Sequence, residues 1–522
     1  MKNLIIVESP AKAKTIKNFL GDDYDVVASK GHIRDLPQKK FGIKIKDKSF
    51  EPEYEISADH DQIVKQIKTL AKKADQIYLA TDEDREGEAI AYHIAASIGK
   101  QAQELPRIVF HEITKSAISN ALSSPRKLNI ASVNAQQARR LLDRIVGYKL
   151  SPLLNLKIQR GLSAGRVQSA ALKIVVDRER EILNFKPVEF HSIDAVFKKD
   201  LEAELVEFRG EKMEKLSIKN AAQASEIVSA LQKDKFSVES IESKSRKTNP
   251  YPPFMTSTLQ QAASTTLGFN PRKTMSLAQS LYEGVNTKNG GAITYMRTDS
   301  LNIAKEAIAA ARELIGERFG EKYLPKSPNL YATKSKGAQE AHEAIRPTDF
   351  NLYKGANCAE RGVNAVQIQL YQLIWRRAVA SQMKAAQFKV RSATLASTQP
   401  VAALDAVAAP ADGVPGQQQA TFTARGQQMI FDGWMRLAQG GDETGEKKTE
   451  GDKADDATGL LPLLRVGEHH SPQDGRVLEL ETKPPGRFSE AGLVKKLEAE
   501  GIGRPATYAA IIGTLTGKGY VE

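Results

Sequence analysis

The sequence predicts a multidomain protein of the α/β plus α and β class. Three observations carry that prediction. Short apolar runs alternate with helical periodicity in the first part of the chain, long Arg-rich helical stretches follow, and β-like runs appear from Pro187 and again from Phe388. The chain has 522 residues, enough for several separate cores at roughly 150 residues each.

Taken in order, Leu4-Ile5-Ile6-Val7 is an uninterrupted apolar run of the kind found in a buried parallel strand. Ser9 and Pro10 then supply an N-cap and an N1 proline for a helix over residues 11–20, so Glu8 falls at the carboxyl end of a strand. The same grammar returns at 76–80, a second strand, followed by Thr81-Asp82-Glu83-Asp84-Arg85-Glu86-Gly87 and a helix over about 88–98. Strand ends of this sort are where open α/β sheets bind ligands. Apolar residues at helical spacing run beside dense arginine over 133–154 and 166–183. Residues 190–197 and 236–241 read as strands, and Asn249-Pro250-Tyr251-Pro252-Pro253 reads as a stiff linker into a helical block that extends through Trp375 to Met383. A second β-like region covers 388–437. The Ala/Pro/Gln-rich stretch 399–419 and the Gly-, Lys- and acid-rich stretch 440–456 have little to bury and are expected to be flexible. Residues 488–521 return to helix, closing in the manner of a winged helix. No repeat of fixed period is present.

The chain holds 75 Lys+Arg against 63 Asp+Glu, a formal charge of +12. That excess fits a folded protein whose ligand is a polyanion, with nucleic acid the first suspect. Cys358 is the only cysteine, which excludes an internal disulfide framework and Cys-cluster zinc sites and points to a reducing compartment. Neither a signal peptide nor a membrane span is legible, so a soluble, cytoplasmic protein is expected.

Three constellations carry candidate chemistry. Asp82, Asp84 and Glu86 alternate, so in an extended segment their carboxylates would share one side, with Glu8 near enough to join them. Hard oxygen ligands gathered this way suit Mg2+, which keeps several waters and bridges carboxylates to phosphate. A solvated acidic loop facing a helix N-terminus is the bland alternative. Lys12 and Arg85 can hold a phosphate beside these acids. The second constellation is Tyr-Met-Arg-Thr-Asp-Ser at 295–300, which places the Tyr295 phenol and the Arg297 guanidinium on one side of an extended segment. A phenol of pKa about 10 needs a nearby cation to become a useful nucleophile, yet the chain has 14 Tyr, and spacing alone does not select Tyr295. Asp299 or Ser300 can equally cap a helix beginning near Leu301.

The third constellation is a set of basic helical segments. Arg140 and Arg144 lie four apart on one face, and Asp143 can orient Arg139. Ser163-Ala164-Gly165-Arg166-Val167-Gln168 turns into a helix N-terminus with Arg166 and Gln168 free to reach a phosphate or base, and Gly501-Ile502-Gly503-Arg504 repeats the design. Any one of these is by default a solvated helix face; three in a basic chain favour a nucleic-acid groove. Several motifs are decoys. His111-Glu112 lacks the second His of a zincin helix, His469-His470 is an isolated pair, and 513–519 falls short of a phosphate loop, so no ATPase motor is evident. His342, on an expected helix with Arg346 four residues on, is alone more often structural than catalytic.

Together these segments closely resemble the bacterial DNA topoisomerase I family, a group of type IA topoisomerases, along essentially the full chain. The carrying motifs are Val-Glu-Ser-Pro-Ala-Lys-Ala-Lys at 7–14, Gly-His-Ile-Arg-Asp-Leu-Pro at 31–37, and the segments 81–93, 163–169, 295–300, 342–347 and 501–508. The resemblance implies a toroidal body. A Toprim α/β domain would span 1–130, and a helical single-strand-binding domain 131–186 and 461–522. A β-rich arch would span 187–254 and 382–460, with a helical domain over 255–381 carrying the nucleophile. It implies Mg2+ on Asp82, Asp84 and Glu86, with Glu8 beside them. It also implies an ATP-independent pair of transesterifications in which Tyr295 forms a 5′-phosphotyrosyl bond. Glu8 would donate a proton to the leaving oxygen, Arg297 would steady the phosphate and Lys12 would assist. His32, Arg139, Arg140, Asp143, Ser163, Arg166, Gln168, His342 and Arg504 fall at positions near the bound strand. Relaxation of negatively supercoiled DNA by a monomer follows.

The chain departs from the family pattern in two places. Members usually continue further, often into Cys-rich zinc ribbons, so a fragment or a lost tail is expected, which bears on strand passage more than on cleavage. Glu83 adds a charge inside the acidic motif and is expected to point away from the metal. Rival readings are a topoisomerase III-like decatenase, a Toprim primase or nuclease that needs no Tyr295, and a non-catalytic single-strand-binding protein.

Overall fold

The computed structural model describes residues 2–198, 201–284, 290–332, 343–352, 362–401, 419–438 and 461–522. The chain forms two compact units, one of residues 1–176, 251–382 and 488–522, the other of 177–250 and 383–487. Residues 461–487, expected within the helical segment, instead belong with the β-rich unit, because their alternating pattern is completed by pairing with a strand of that sheet.

The first unit begins with β1 (Asn3–Val7), whose Leu4, Ile5, Ile6 and Val7 are wholly buried. It lies at the centre of a three-stranded sheet, parallel to β2 (Tyr24–Ala28) on one side and β3 (Ile77–Leu79) on the other. A central strand covered on both faces must be apolar throughout. Each such side chain contributes on the order of 2 kcal/mol by leaving water. Helix α1 (Pro10–Leu20) starts as the sequence predicts, with Ser9 Oγ accepting from the Lys12 N–H. Helix α2 (Asp61–Ala71) and helix α3 (Arg85–Ser97) pack Val64, Ile67, Ile90 and Ile94 against Leu4, Ile6 and Leu79. Both β1 and β3 point their carboxyl ends at the same place, which sets Glu8 beside Asp82.

The rest of this unit is helical. The helix Ile130–Lys157 packs on α3. The helices Thr256–Leu267, Pro271–Glu283, Lys305–Phe319 and Ala365–Ser381 surround the segment 292–304, which forms no regular element. That segment is held from both sides. Tyr295 N–H donates to the His111 carbonyl at 2.8 Å, and Thr294 N–H donates to the Arg346 carbonyl at 2.9 Å. Its following helix starts at Lys305 rather than near Leu301 and has no side-chain cap; the Ser300 N–H turns instead to Thr298 Oγ1 at 3.0 Å. The helices Glu490–Ala499 and Tyr508–Gly517 form a cluster around Leu493, Val494, Leu497, Ile511 and Leu515.

The second unit is an antiparallel sheet built on β4 (Glu189–Lys198), β5 (Leu201–Phe208), β6 (Phe236–Thr248), β7 (Ala386–Ser397), β8 (Ala420–Phe431) and β9 (Asp474–Glu481). These strands run in the order β6-β7-β8-β5-β4-β9. Phe197, Phe236 and Phe422 meet edge to face, with centroids 5.2–5.3 Å apart, under the helix Ala221–Leu231. Most of 399–419 and all of 440–456, together with Cys358 and His342, lie outside the described residues. Among the described residues, no helix is long and apolar enough to cross a membrane.

Candidate active site

The acidic motif does not run extended, as the alternation of its residues suggests. Asp82 ends the loop after β3, Asp84 is the N-cap of α3, and Glu86 lies in its first turn. The cap forms because Asp84 Oδ1 accepts from the Gly87 N–H at 2.7 Å, while Thr81 Oγ1 donates to the Gly87 carbonyl at 2.7 Å. Gly87 is required there, since a Cβ would stand 2.1 Å from the Asp82 carbonyl oxygen. The turn fixes the three carboxylates in different surroundings.

Asp82 is buried and paired with the Lys12 ammonium, itself 1% exposed. Burial opposes both charges, but each offsets the other's cost: Asp82 is held below the usual carboxylate range, and Lys12 is raised. The Asp82 N–H donates to Glu8 Oε1 at 2.9 Å. Burial, and next the Asp82 charge, push the Glu8 carboxyl up to about 8, so Glu8 carries a proton near neutral pH. Two carboxylates with opposed protonation states sit side by side.

Tyr295 completes the centre. It is 5% exposed, and its hydroxyl donates to Asp84 Oδ2 at 2.6 Å. Burial, with Asp82 and Asp84 adding to it, raises the phenol well above its ordinary value. Arg297 reaches the same place, with its Nη1 3.4 Å from Glu86 and 3.9 Å from Asp84. Burial opposes its charge, but Tyr295, Asp84 and Glu86 more than compensate and raise it. The phenol and guanidinium thus share a side. Glu83 turns elsewhere, to His111 Nδ1 at 3.4 Å and Arg126 at 3.8 Å.

A cavity of about 300 Å³ opens over this centre, lined by Asp84, Arg85, Glu86, Gln136, Arg139, Arg140, Asp143, Arg297, Asp299 and Arg504 among others. The helix Ile130–Lys157 supplies its basic wall. Arg140 is fixed by a two-point bond to Asp35, at 2.9 and 2.5 Å. Asp143 holds Arg166 at 2.8 Å and Arg139 at 3.7 Å. His32 lines a smaller adjoining pocket of about 170 Å³ with Arg34, Tyr54, His93 and Arg140. Ser163, Arg166 and Gln168 are not in either lining: Arg166 is turned to Asp143, and Gln168 Nε2 donates to the Ser163 carbonyl at 3.0 Å, which stiffens the turn rather than facing a ligand.

The parts played by three residues were not legible beforehand. The Tyr282 hydroxyl donates to Asp82 Oδ1 at 3.3 Å, and its ring meets that of Tyr295 edge to face at 5.2 Å. Arg107, wholly buried, donates to the Asp82 carbonyl at 2.7 Å and to Glu88 at 3.0 Å, anchoring the acidic turn from beneath. Arg346 ties Glu112 at 3.0 Å and Glu343 at 2.7 Å. The only sequence signal for Tyr282 is its place on an amphipathic helix, where an ordinary core tyrosine looks the same.

The donor chemistry suits a divalent cation only in part. Among the described residues, no three acidic or His/Cys side chains gather as a metal cage. Asp82 is paired with Lys12, and burial beside Asp82 favours the protonated form of Glu8. Asp84 and Glu86 remain at the cavity, and two carboxylates with water and phosphate oxygens are a sufficient Mg2+ set.

An α/β domain with acids at its strand ends, joined to a buried tyrosine and an arginine-lined cavity, defines an enzyme for phosphodiester transfer on nucleic acid. Comparison with known proteins makes that specific. A family model described as DNA topoisomerase matches residues 127–522, and one for the Toprim domain matches residues 3–113. The chain is 57% identical to DNA topoisomerase 1 of Campylobacter jejuni over 522 residues, covering all of this chain and 69% of that protein. It is 49% identical to DNA topoisomerase 1 of Helicobacter pylori, covering all of this chain and 66% of that one. The solved structure of full-length topoisomerase I from Thermotoga maritima matches with a TM-score of 0.82 at 42% identity, over all of this chain and 79% of the other. The chain thus spans about two thirds of the length of these curated relatives. It belongs to the type IA DNA topoisomerase family, ATP-independent isomerases of DNA whose Toprim domain uses a divalent metal.

Proposed function

We propose that this chain cuts one strand of DNA by attack of the Tyr295 phenol oxygen on a backbone phosphorus. Single-stranded DNA lies in the arginine-lined cavity, held by Arg139, Arg140 and Arg504, with His32 at its edge and Arg166 reaching the cavity wall through Asp143. The P–O3′ bond breaks as the Tyr295–phosphorus bond forms, leaving a 5′-phosphotyrosyl ester and a free 3′-hydroxyl. Asp84, already bonded to the phenol, takes its proton, and protonated Glu8 supplies one to the departing O3′. Arg297 faces the phosphate oxygens and balances charge built up in the transition state, assisted by Lys12. The ester conserves the energy of the broken bond, so reversal reseals the strand without ATP. Passage of a second strand before resealing relaxes negative supercoils. Asp84 and Glu86 are the residues that would hold Mg2+, which would supply charge neutralisation beside phosphate, while Asp82 stays paired with Lys12. The setting is a monomer in the cytoplasm.

One observation carries this reading. The Tyr295 hydroxyl lies within hydrogen-bond distance of an acidic-motif carboxylate, with Arg297 beside it. End-labelled single-stranded oligonucleotides on a denaturing gel test it. The native chain is expected to become attached to the 5′ side of the break, and Tyr295→Phe to form no adduct. Cleavage that persists in the Phe variant overturns the nucleophile in favour of a metal-dependent nuclease, and binding without any adduct would leave a single-strand-binding body.

A further inference from the structure

The β-rich unit carries a surface that the cleavage chemistry does not use. In strands β6, β7 and β8, directly paired residues share a face. One face holds Val238, Leu395 and Phe422, then Ile241, Ala393 and Ala424, all part of or packed against the unit's core. One register row further, the same face carries Ser243, Arg391 and Gly426. The next row is Ser245, Lys389 and Gln428, and beyond it Lys247, Gln387 and the half-exposed Phe431. The apolar residues have meanwhile crossed to the opposite face, as Val390, Phe388 and Met429. This change of phase leaves a three-strand surface of Lys, Arg, Ser, Gln and Gly, edged by Phe431, with no carboxylate on it. Lys247 and Lys389 are exposed and Arg391 half-exposed. Among the described residues none of the three has an acidic partner, whereas Lys244 on the other face is tied to Glu242 at 2.6 Å.

We propose that this surface docks double-stranded DNA by its phosphate backbone. It goes beyond the cleavage reading and rests on it only in taking DNA as the substrate. Lys, Arg, Ser and Gln are the side chains that take phosphate oxygens, and three unpaired cations without an acid among them complement a polyanion. The rows of Arg391 and Lys389 offer no aromatic ring on which an unpaired base would stack. Phe431 stands only at the edge of the surface, in the row of Lys247, and a duplex, which keeps its bases stacked and presents phosphates outward, matches the cation rows. The second DNA segment handled by a strand-passing enzyme is the natural occupant.

The test is binding of a short duplex to the full chain as a function of salt, with the strand cavity saturated by a single-stranded oligonucleotide. Adduct formation at Tyr295 is measured in parallel. The combined variant Lys247→Gln, Lys389→Gln, Arg391→Gln is expected to lower the slope of log affinity against log salt by roughly 2–3, about 0.9 for each phosphate no longer neutralised. Duplex affinity should fall at least tenfold while adduct formation is unchanged. Ser245→Glu, which keeps every cation and places one negative charge among them, should weaken duplex binding in the same direction. Unaltered affinity and slope in both variants overturn the proposal, as does a native chain that binds no duplex. Loss of the native adduct would count against Tyr295 chemistry alone.

Discussion

Tyr282 has a part in the site that only its contacts reveal. Its hydroxyl meets Asp82, its ring braces Tyr295, and the Lys12 ammonium stands 5.2 Å from its centroid. It orients the Tyr295 phenol and the Asp82–Lys12 pair and lines neither cavity, so its role in the proposed chemistry is that of a positioning residue. Tyr282→Phe keeps the ring and loses a hydrogen bond worth about 1 kcal/mol, roughly a fivefold rate loss. Tyr282→Ala also frees the Tyr295 ring, where an edge-to-face pair adds about 1 kcal/mol and the vacated space costs more. Single-turnover adduct formation on a labelled oligonucleotide should therefore fall slightly for Phe and on the order of a hundredfold for Ala, with oligonucleotide affinity held. Equal rates in all three proteins would remove Tyr282 from the site.

At the scale of elements, α3 does two jobs: its N-terminus carries the acids, and its middle buries His93. The His93 ring is 3% exposed, and its Nδ1 has no hydrogen-bond partner among the described residues. Burial, then the charges of Arg34 and His32, lower it to about 4. Below an unfolded value near 6.5, the unfolded chain takes up a proton that the folded chain refuses. Stability is thus lost as pH falls from about 6.5 and levels off below about 4, by up to about 3 kcal/mol. Urea midpoints at pH 7 and pH 5 should differ less in His93→Gln than in the native chain, and equal differences would refute the assignment. Strand β1, the Ser9 cap and the long helices were legible because period and capping chemistry are local properties. The shape of the acidic turn was not. Alternation of Asp82, Asp84 and Glu86 suggests a strand, but the Asp84 side chain captures the Gly87 N–H and starts a helix instead. Membership of 461–487 in the sheet was hidden for a related reason, since β9 is defined by a partner, β4, almost three hundred residues away.

At the scale of the molecule, a protein that holds both ends of a cut strand has to part its own contacts to let another strand through. In the cleavage proposed above, Tyr295 carries one end and the Toprim acids with the arginine wall face the other, so every bond between these parts favours closure. Some lie within the proposed centre: Tyr295 with Asp84, Arg297 with Glu86, Tyr282 with Asp82. Ser257 is different. Its hydroxyl donates at 2.6 Å to Glu498, joining the N-terminus of the helix Thr256–Leu267 to the helix Glu490–Ala499, and neither residue bonds Tyr295, Arg297 or the acidic motif in any contact described above. Removing it should bias the closed and open forms without altering the chemistry of the closed one. At about 1 kcal/mol for such a bond, Ser257→Ala is expected to raise the open fraction roughly fivefold. Separated ends cannot reseal, so the share of supercoiled plasmid trapped as covalent complex on denaturant quench should rise, while the initial rate of adduct formation on a short oligonucleotide stays as in the native chain. If trapping is unchanged, this contact has no part in the gate; if the oligonucleotide rate falls as well, Ser257 supports the active site rather than its opening.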